Sequence, residues 1–414
     1  MLSQLPNRSA DGDADRPARR AASAPRPARM LIFFSCMAML AVAGCRQPRM
    51  APVPAAIEYP RYVSSDTIPP PIVRAWPAMG AMLEISVWDA DSARARAAME
   101  AARAAVLRVD SLMSPESAPG EVAAANRRAG TDSATTLSPW TAEVLDSALA
   151  IAAASGGAVD VTAAPLAGAW RAGAVPPQQV RDSLAARVGW RMVRFDRVAR
   201  RVSLPQRGMR LDFGEMARGF AVDRGVAALR AAGIGSAVLD VGGTFRVLGP
   251  TPVTPGWTMG LTDPRGPGEV FAAVHIDSGA VATMGDYGQM FEAGGERWSR
   301  VLDPRRGVPA RGVVSVSVLA PSGMLADALL GAFFVMGPEE GCRWAARYPG
   351  VDVVWVRDAG HDEEKEDDDE AMDPDLVVIT DALKDRLEIL TEEPTDERPT
   401  TCSQLLAHAK SSVP

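Results

Sequence analysis

The chain has 414 residues, of which 47% are hydrophobic, 23% charged and 6% aromatic. It is long and apolar enough to bury the core of one large domain or two ordinary ones, which excludes a disulfide-stabilised miniprotein and a wholly disordered protein. The net charge is −7, but residues 362–375 alone contribute −9 through ten acidic side chains and one lysine, and this run is interpreted as a solvated loop, not as a surface that seeks nucleic acid or acidic ligands.

The first 44 residues have the organisation of an export signal. Five arginines between residues 16 and 29 precede an apolar stretch over 30–42, which is too short to span a bilayer comfortably. The stretch ends in Val42-Ala43-Gly44-Cys45, which resembles a bacterial lipobox, where the cysteine receives the lipid. We therefore predict a lipoprotein signal peptide over residues 1–44 and lipidation of Cys45; an ordinary signal peptide with a fortuitous cysteine is the alternative.

The segment after Cys45 is predicted to be a tether. Residues 45–75 contain seven prolines, which favour an extended chain that lifts the following domain off a membrane. The predicted location is the cell envelope, with the domain lipid-anchored at the periplasmic or extracytoplasmic face of a bacterial membrane. No later apolar run reaches about 18 residues, which excludes a polytopic membrane protein.

Beyond the tether, hydrophobic periodicity predicts both strands and helices. Strands are predicted over 82–88, 193–195, 202–204, 209–213 and 237–241, near 257, 271, 297 and 313, and over 351–356 and 376–380. Helices are predicted to begin near 92, 139, 216, 325 and 338, and residues 114–130 are predicted to form a loop. Hairpins and strand–helix units mix without the regular alternation of a doubly wound sheet or a barrel, which predicts an α+β fold of mixed sheets with packed helices.

The cysteines and histidines do not form a recognisable metal site. The four cysteines include no C-x-x-C pair, and the three histidines include no H-E-x-x-H motif. Any bound metal is therefore predicted to be a hard cation held by oxygen ligands.

Glycine- and aspartate-rich turns are the remaining candidates for chemistry, because the standard G-x-G-x-x-G, G-x-x-x-x-G-K-[ST] and G-x-S-x-G motifs are absent. Glycine lets backbone N–H groups approach a phosphate, and the helix predicted after Gly214 offers free N–H groups at the positive end of its dipole. A carboxylate such as Asp327 can hold Mg²⁺ against a diphosphate. Taken singly, such glycines usually serve turn geometry and such aspartates usually cap helices, so both interpretations stay open.

The order of these turns is more specific than any one of them. Together they resemble the motifs of the ApbE-type flavin transferases, the FAD:protein FMN transferases, over about residues 76–390. The matching segments are Pro77-Ala78-Met79-Gly80, Val109-Asp110-Ser111-Leu112-Met113-Ser114, Asn126, Gly157-Ala158-Val159-Asp160-Val161-Thr162, Asp212–Asp223, Asp240-Val241-Gly242-Gly243, Ala282-Thr283-Met284-Gly285-Asp286-Tyr287, Leu302-Asp303-Pro304-Arg305-Arg306-Gly307 and Ala326-Asp327-Ala328.

The resemblance implies a fold and a reaction. It implies an ApbE-like, T-fold-like domain over residues 76–392, interrupted by the acidic insert 361–375 and followed by a flexible C-terminal tail over 393–414. The family cleaves FAD with Mg²⁺ and transfers FMN to a Thr or Ser hydroxyl of a target protein, leaving AMP. The implied substrate is FAD, the implied cofactor Mg²⁺, and the implied partners a target protein in the cell envelope and, through the lipid anchor, a membrane, with no nucleic acid.

The resemblance also implies roles for particular residues. The implied catalytic residues are Asp327 and Arg300. The implied metal-binding residues are Ala217, through its carbonyl, and Asp327, Leu330 and Gly331. The implied FAD-binding residues are Met79, Glu116, Ala158, Val159, Asp160, Gly214, Arg218, Phe220, Gly242, Gly243, Thr283, Asp286 and Val301.

Five positions depart from the family pattern. Arg300 stands where the family often has His, and Gly331 stands where the metal motif often ends in Thr. Arg218 replaces Lys, Glu116 replaces an aromatic residue, and Thr283-Met284-Gly285 replaces T-S-G. The loss of both the His and the Thr weakens metal chemistry more than nucleotide binding, while Arg300 can instead stabilise phosphate charge. Three alternatives follow: a non-catalytic FAD-binding lipoprotein, an FAD pyrophosphatase on the same fold, and an envelope interaction module.

Overall fold

The computed structural model describes residues 70–411, except 118, 171–173, 253, 266–268, 286–289, 294, 359–372, 374–375 and 391–397. The predicted signal peptide, Cys45, nearly all of the tether and of the acidic insert, and Asp286 lie outside these residues. Within them, no helix combines the length and the apolar character that a membrane span requires.

The described residues form the following strands and helices. The strands are β1 (Ile72–Ala78), β2 (Ala81–Val87), β3 (Thr135–Thr136), β4 (Arg194–Asp196), β5 (Arg201–Ser203), β6 (Ala237–Val241), β7 (Thr244–Leu248), β8 (Trp257–Thr262), β9 (Val270–Ile276), β10 (Gly279–Gly285), β11 (Phe291–Ala293), β12 (Glu296–Trp298), β13 (Leu302–Asp303), β14 (Val308–Pro309), β15 (Val313–Ala320), β16 (Asp352–Arg357), β17 (Val377–Ile379), β18 (Leu387–Ile389) and β19 (Thr400–Thr401). The helices are α1 (Ser92–Met113), α2 (Glu121–Arg127), α3 (Pro139–Ala154), α4 (Ala164–Trp170), α5 (Gln178–Ala185), α6 (Glu215–Ala231), α7 (Gly323–Ala345) and α8 (Cys402–Ser411).

A nine-stranded sheet runs through the domain in the order β1-β2-β6-β7-β10-β15-β16-β17-β19. Its neighbouring strands are antiparallel except for β17 and β19, which are parallel. Smaller sheets contain β18-β9-β8 and β3-β5-β4, and β11–β12 and β13–β14 form hairpins. Because hairpin connections dominate, the sheet is not doubly wound, and the predicted α+β class with mixed sheets is confirmed.

Both faces of the large sheet are covered. One face packs against α1, α6 and α7, and the other packs against the sheet of β8, β9 and β18. In β16, Val353 and Trp355 belong to the helical core, whereas Val354 and Val356 belong to the core under the small sheet. Successive strand residues point to opposite faces, so two buried faces produce the continuous apolar run that the sequence shows here.

Helix α7 contains the two helices that were predicted separately. Gly337 has φ 66°, outside the helical range, and Pro338 follows it without a backbone N–H group to continue the hydrogen bonds. The chain therefore bends at this point, and the residues before and after it form two helical segments.

Two local predictions are wrong. The expected loop 114–130 contains the helix α2, and residues 209–213 do not pair with another strand. The side chain of Asn126 replaces the strand partner: its Nδ2 donates to the carbonyl of Leu211 at 2.9 Å, and its Oδ1 accepts from the N–H of Leu211 at 2.6 Å. A side-chain amide offers both a donor and an acceptor, so it satisfies an extended segment without a sheet.

Residues 398–411, the part of the range that the structure describes, correct the expectation of a flexible tail over 393–414. Strand β19 extends the large sheet beside β17, and α8 follows directly. A disulfide joins Cys402, at the start of α8, to Cys342 in α7, across 60 residues of sequence. Covalent attachment and backbone pairing therefore fix this segment on the domain, a constraint that tail composition does not reveal.

Candidate functional site

A cavity of about 820 Å³ lies where the glycine- and aspartate-rich turns of the sequence meet. Its wall includes the turn between β1 and β2, the end of α1, the start of α6, the turn between β6 and β7, β10, and the first half of α7. Of the residues implied by the resemblance, the wall contains Met79, Ala158, Val159, Asp160, Gly214, Ala217, Arg218, Gly242, Thr283, Arg300, Val301, Asp327 and Gly331.

Four other implied residues are outside the cavity wall. Glu116 is exposed and forms an ion pair with Arg210. The Phe220 side chain is 1% exposed in the core, edge-to-face with Trp140, and Leu330 is equally inaccessible at 2%. Both side chains belong to the main hydrophobic core, so they pack inside the domain and do not line the cavity. Gly243 follows Gly242 in the turn between β6 and β7.

The turn between β1 and β2 places Met79 at the cavity in an unusual backbone conformation. Met79 has φ 53°, in the left-handed region, and Gly80 follows with φ 74°. The N–H of Met79 donates to Oδ2 of Asp110 in α1 at 3.2 Å. A left-handed non-glycine residue needs such local support, so Asp110 helps hold this turn against the cavity.

Asp160 holds together the loop that follows α3. Its Oδ1 accepts from both the N–H and the hydroxyl of Thr162, at 2.8 and 2.6 Å, and its Oδ2 accepts from the N–H of Trp190 at 2.8 Å. The N–H of Asp212 donates to the carbonyl of Val161 at 2.8 Å, which ties the loop to the segment before α6. With three donors on its carboxylate, Asp160 acts mainly as a structural residue that presents the loop backbone to the cavity.

Helices α6 and α7 cross at closely spaced glycines. A Cβ on Gly219 would lie 2.1 Å from the carbonyl oxygen of Gly323 and 2.8 Å from Oδ2 of Asp327. Asp223, at the end of the same motif, accepts from the N–H groups of Gly323 and Met324 at 2.9 and 3.0 Å, capping α7. The lack of a side chain at Gly219 thus permits the helices to cross closely. Asp223 fixes the N-terminus of α7, the helix that contains Asp327.

Asp223 also forms an ion pair with a partly buried arginine. The Nε of Arg246, in β7, lies 3.1 Å from Oδ1 of Asp223. Burial lowers the pKa of Arg246, and the charge of Asp223 opposes that shift. The pair thus joins β7 to the junction of α6 and α7 on the sheet side of the site.

Asp327 is a buried carboxylate in the cavity wall. It is 5% exposed, and the hydroxyl of Thr244 lies 3.1 Å from each of its oxygens. Gly331 lies one helical turn later on the same face of α7 and also lines the cavity. A Cβ there would lie 3.1 Å from Cγ1 of Val159, so a side chain at this position displaces Val159 slightly.

Two arginines contribute positive charge to the cavity. Arg218, in the first turn of α6, has Nη1 3.4 Å from the position that a Cβ on Gly242 would occupy. Arg300 precedes β13, and its buried Nε has no hydrogen-bond partner among the described residues. Guanidinium groups bind phosphate oxygens in a fixed fork, so these two side chains suit a phosphate-bearing ligand.

The Leu302–Gly307 motif is organised around Asp303. Its buried carboxylate accepts from the N–H and Nε of Arg305 at 2.9 and 3.0 Å. This hydrogen bond is the main cause of the raised pKa of Arg305. Trp170 donates from its indole to the carbonyl of Gly307 at 3.1 Å, which fixes the turn to α4. The motif therefore serves to place Arg300 and Val301 at the cavity.

The donors around Asp327 are those that a hard cation prefers. They comprise its carboxylate and the backbone at Ala217, and both residues line the cavity. Across the described part of the chain, no group of three or more His, Cys, Asp or Glu residues could hold a metal ion. This set fits Mg²⁺ bound through one carboxylate and the ligand's phosphates, and does not form an all-protein cage.

Several positioning residues were missed from the sequence as individual candidates. Asp110, Asn126 and Asp223 lie within the matching motifs, but their roles depend on partners distant in the chain. Thr244 was not singled out at all. Its place directly after Gly242-Gly243 was the available signal, because a residue next to a tight turn has a fixed direction.

Comparison with known proteins gives a consistent result. The ApbE family profile matches residues 79–355. Two proteins named FAD:protein FMN transferase are similar to this chain: 33% identical over 296 residues in Rhodobacter capsulatus and 34% over 232 residues in Treponema pallidum. These matches cover 70% and 51% of this chain but only 56% and 64% of the relatives' own length.

Solved structures show the same likeness. The ApbE protein of Thermotoga maritima aligns with a TM-score of 0.64 at 28% identity, over 70% of this chain and 96% of that one. Flavin transferase ApbE from Vibrio cholerae aligns with a TM-score of 0.61 at 25% identity, over 69% and 93% of the two chains. The profile, the shared fold and the cavity at the family's motifs agree: this chain belongs to the ApbE family.

Proposed function

We propose that this chain is an FAD:protein FMN transferase. The observation that carries the proposal is the convergence of a buried carboxylate, Asp327, with Arg218 and Arg300 in one cavity of about 820 Å³. Small-molecule sites span roughly 300–1,000 Å³ and combine apolar walls with a few polar groups. Alanines and valines of the loop after α3 and of α4 supply apolar wall for flat rings, while the charged groups suit a diphosphate.

In the proposed reaction, a Thr or Ser hydroxyl of the target protein attacks the FMN phosphorus of FAD. The bond from that phosphorus to the bridging oxygen breaks, AMP leaves with that oxygen, and the hydroxyl proton passes to solvent. Negative charge increases on the bridging oxygen, so Arg218 and Arg300 would orient the diphosphate and stabilise this charge. The loop held by Asp160 would position the ligand through its backbone.

We propose Mg²⁺ as the cofactor of this site. When bound, Mg²⁺ would neutralise the diphosphate and assist the departure of AMP. Asp327 would hold it, with the carbonyl of Ala217 and phosphate oxygens as further ligands. Gly331 supplies no hydroxyl to this set, and this observation favours the alternatives of an FAD pyrophosphatase or a non-catalytic FAD-binding protein.

We also propose that the domain works in the cell envelope, anchored through Cys45 after removal of residues 1–44 and carried on the tether 45–75. The disulfide between Cys342 and Cys402 supports an oxidising compartment. Labelling with radioactive palmitate in a bacterial host tests the anchor. The wild-type chain should become labelled, and label that persists in Cys45→Ser would contradict it.

The transferase proposal is tested by incubating the purified mature chain with FAD, Mg²⁺ and Thr- and Ser-containing acceptor peptides. Mass spectrometry should find FMN attached to a peptide hydroxyl, with an equal amount of AMP released. Release of AMP with free FMN alone would indicate a pyrophosphatase. Bound, intact FAD without AMP would indicate a non-catalytic flavin-binding protein, and no FAD binding would leave the interaction-module alternative.

A further inference from the structure

The hydroxyl of Thr244 lies directly behind the carboxylate of Asp327. Its Oγ1 is 3.1 Å from both Oδ1 and Oδ2. Thr244 is 2% exposed and Asp327 5% exposed, so this contact is made in the protein interior. An ionised carboxylate only accepts hydrogen bonds, so the hydroxyl is the donor, and the contact joins β7 of the sheet to α7.

The backbone around Thr244 leaves its side chain little freedom. Gly242 and Gly243 form the two-residue turn from β6 to β7, with φ 57° and 89°, and the N–H of Gly243 donates to Oδ1 of Asp240 at 2.9 Å. Thr244 then lies between Val241 on one neighbouring strand and Ala282 on the other. A residue paired on both sides in a central sheet presents its hydroxyl in a fixed direction.

The backbone of α6 also lies close to the carboxylate of Asp327. A Cβ on Gly219 would lie 2.8 Å from Oδ2 of Asp327, so the α6 backbone passes close to that oxygen. The carboxylate of Asp327 therefore lies close to both α6 and the Thr244 hydroxyl. A carboxylate has about four lone-pair positions, and the single proton of a hydroxyl occupies one of them.

We propose that Thr244 is a positioning residue that sets the orientation of the Asp327 carboxylate toward a divalent cation in the cavity. The inference deepens the proposed function, since the cation is the one that would assist FAD cleavage. It rests on the hydroxyl–carboxylate geometry, not on turnover. Partners that orient a metal-binding carboxylate typically change metal affinity by about 10–100-fold.

The test measures binding of Mn²⁺, a substitute for Mg²⁺ whose free ion is counted by electron paramagnetic resonance. The purified mature chain is titrated with Mn²⁺ alone and with ADP present as a flavin-free diphosphate. Thr244→Val keeps the shape of the side chain but removes the donor, and should weaken Mn²⁺ binding about 10-fold. Thr244→Ser keeps the hydroxyl and should restore affinity to within about twofold of wild type.

Thr135→Val is the matched control, because Thr135 is also a buried strand threonine, and its hydroxyl accepts from Arg128 at 3.0 Å outside the cavity wall. It should bind Mn²⁺ as the wild type does. If Thr244→Val does not fold, Thr244→Cys keeps the size with a weak donor and should show an intermediate loss. Wild-type affinity in a folded variant without the hydroxyl overturns the proposal, as does a wild-type chain that binds no Mn²⁺. Mn²⁺ binding without FMN transfer overturns the proposed function alone.

Discussion

Asp160 and Asp327 both line the cavity and both follow alanine or valine in short motifs, but their carboxylates have different neighbours. The Asp160 carboxylate accepts from Thr162 and from the backbone of Trp190, so it maintains the shape of a loop. The Asp327 carboxylate meets the hydroxyl of Thr244 and lies beside the proposed metal position. The same residue type therefore maintains a loop at one place and is proposed to hold a metal ion at the other.

We expect Asp327→Ala to abolish Mg²⁺-dependent FAD cleavage while FAD binding persists. The change removes the one carboxylate that the proposed metal set contains, but leaves Arg218 and Arg300 to bind the phosphates. AMP release measures cleavage, and the change in flavin fluorescence measures binding. Asp327→Asn keeps the shape and should give the same result. Unchanged turnover in either variant would remove Asp327 from the metal site.

We expect Gly331→Thr to raise FMN transfer, or to create it, by adding a hydroxyl oxygen beside Asp327. The new Cβ would lie 3.1 Å from Cγ1 of Val159, so some loss of stability accompanies the change. Gly331→Ala, which adds the Cβ without the hydroxyl, is the control. Turnover rates and thermal unfolding of both variants decide the matter: a folded Gly331→Thr variant that is no faster than Gly331→Ala argues that the metal is held differently.

At the scale of elements, the site depends on the close crossing of α6 and α7. Gly219 and Gly323 face each other at this crossing, and Asp223 caps α7 from α6. The crossing places Ala217 and Arg218 of one helix opposite Asp327 of the other. The close packing of α6 and α7 therefore requires that residue 219 have no side chain. The cavity wall depends on this packing, because both helices contribute residues to it.

We expect Gly219→Ala to destabilise the domain by about 3 kcal/mol or more, because its Cβ would lie 2.1 Å from a backbone oxygen that cannot easily move. Gly168→Ala is the matched control: this glycine is also helical, and its Cβ would have no neighbour within 4 Å. The control should be neutral or stabilising by up to about 1 kcal/mol. Urea unfolding measures both, and equal stabilities would disprove the close crossing.

At the scale of the whole molecule, the large sheet connects the cavity to the end of the chain. Strand β10 contributes Thr283 to the cavity wall, and β15, β16, β17 and β19 continue the sheet away from it. The disulfide between Cys342 and Cys402 links α8, which follows β19, to α7. Changes there should therefore alter stability more than ligand binding.

We expect Cys402→Ser to lower the free energy of unfolding by about 4 kcal/mol, the loop-entropy value for 60 residues between the linked cysteines. FAD affinity at a temperature well below the melting point should stay within about twofold of wild type, because neither cysteine lines the cavity. Denaturation of the wild-type chain under reducing conditions is the control and should give the same loss. An unaltered melting temperature in both experiments would contradict this role of the disulfide.

We expect removal of residues 361–372, with Gly360 joined to Asp373, to leave thermal stability and FAD affinity nearly unchanged. The flanking strands β16 and β17 are antiparallel neighbours with Val356 opposite Val377, so a shorter connection can join them. Loop length contributes only about 0.6 kcal/mol per doubling. Calorimetry and flavin titration check this; unfolding of the shortened chain or loss of FAD binding would show that the insert belongs to the fold.

The sequence by itself determined the family and most of the regular elements. The bounds of β6, α3 and α6 were predicted almost to the residue, because proline or glycine marks where these elements begin or end. The motifs that resemble the ApbE family also predicted most of the residues that line the cavity. Most of their glycines adopt positive φ in tight turns, and such turns need glycine at fixed positions. Short strands such as β7 and β10 were missed, because neither has the alternation of buried and exposed residues that predicts a strand.

Only the tertiary structure decided which side chains meet. The contact of Thr244 with Asp327 spans 83 residues, that of Asn126 with Leu211 spans 85, and the disulfide spans 60. Such pairings depend on how the sheet orders its strands and how α6 crosses α7, and neither leaves a local pattern in the chain. For the same reason, the sequence did not show that Phe220 and Leu330 are core residues, although both are close in sequence to residues of the site.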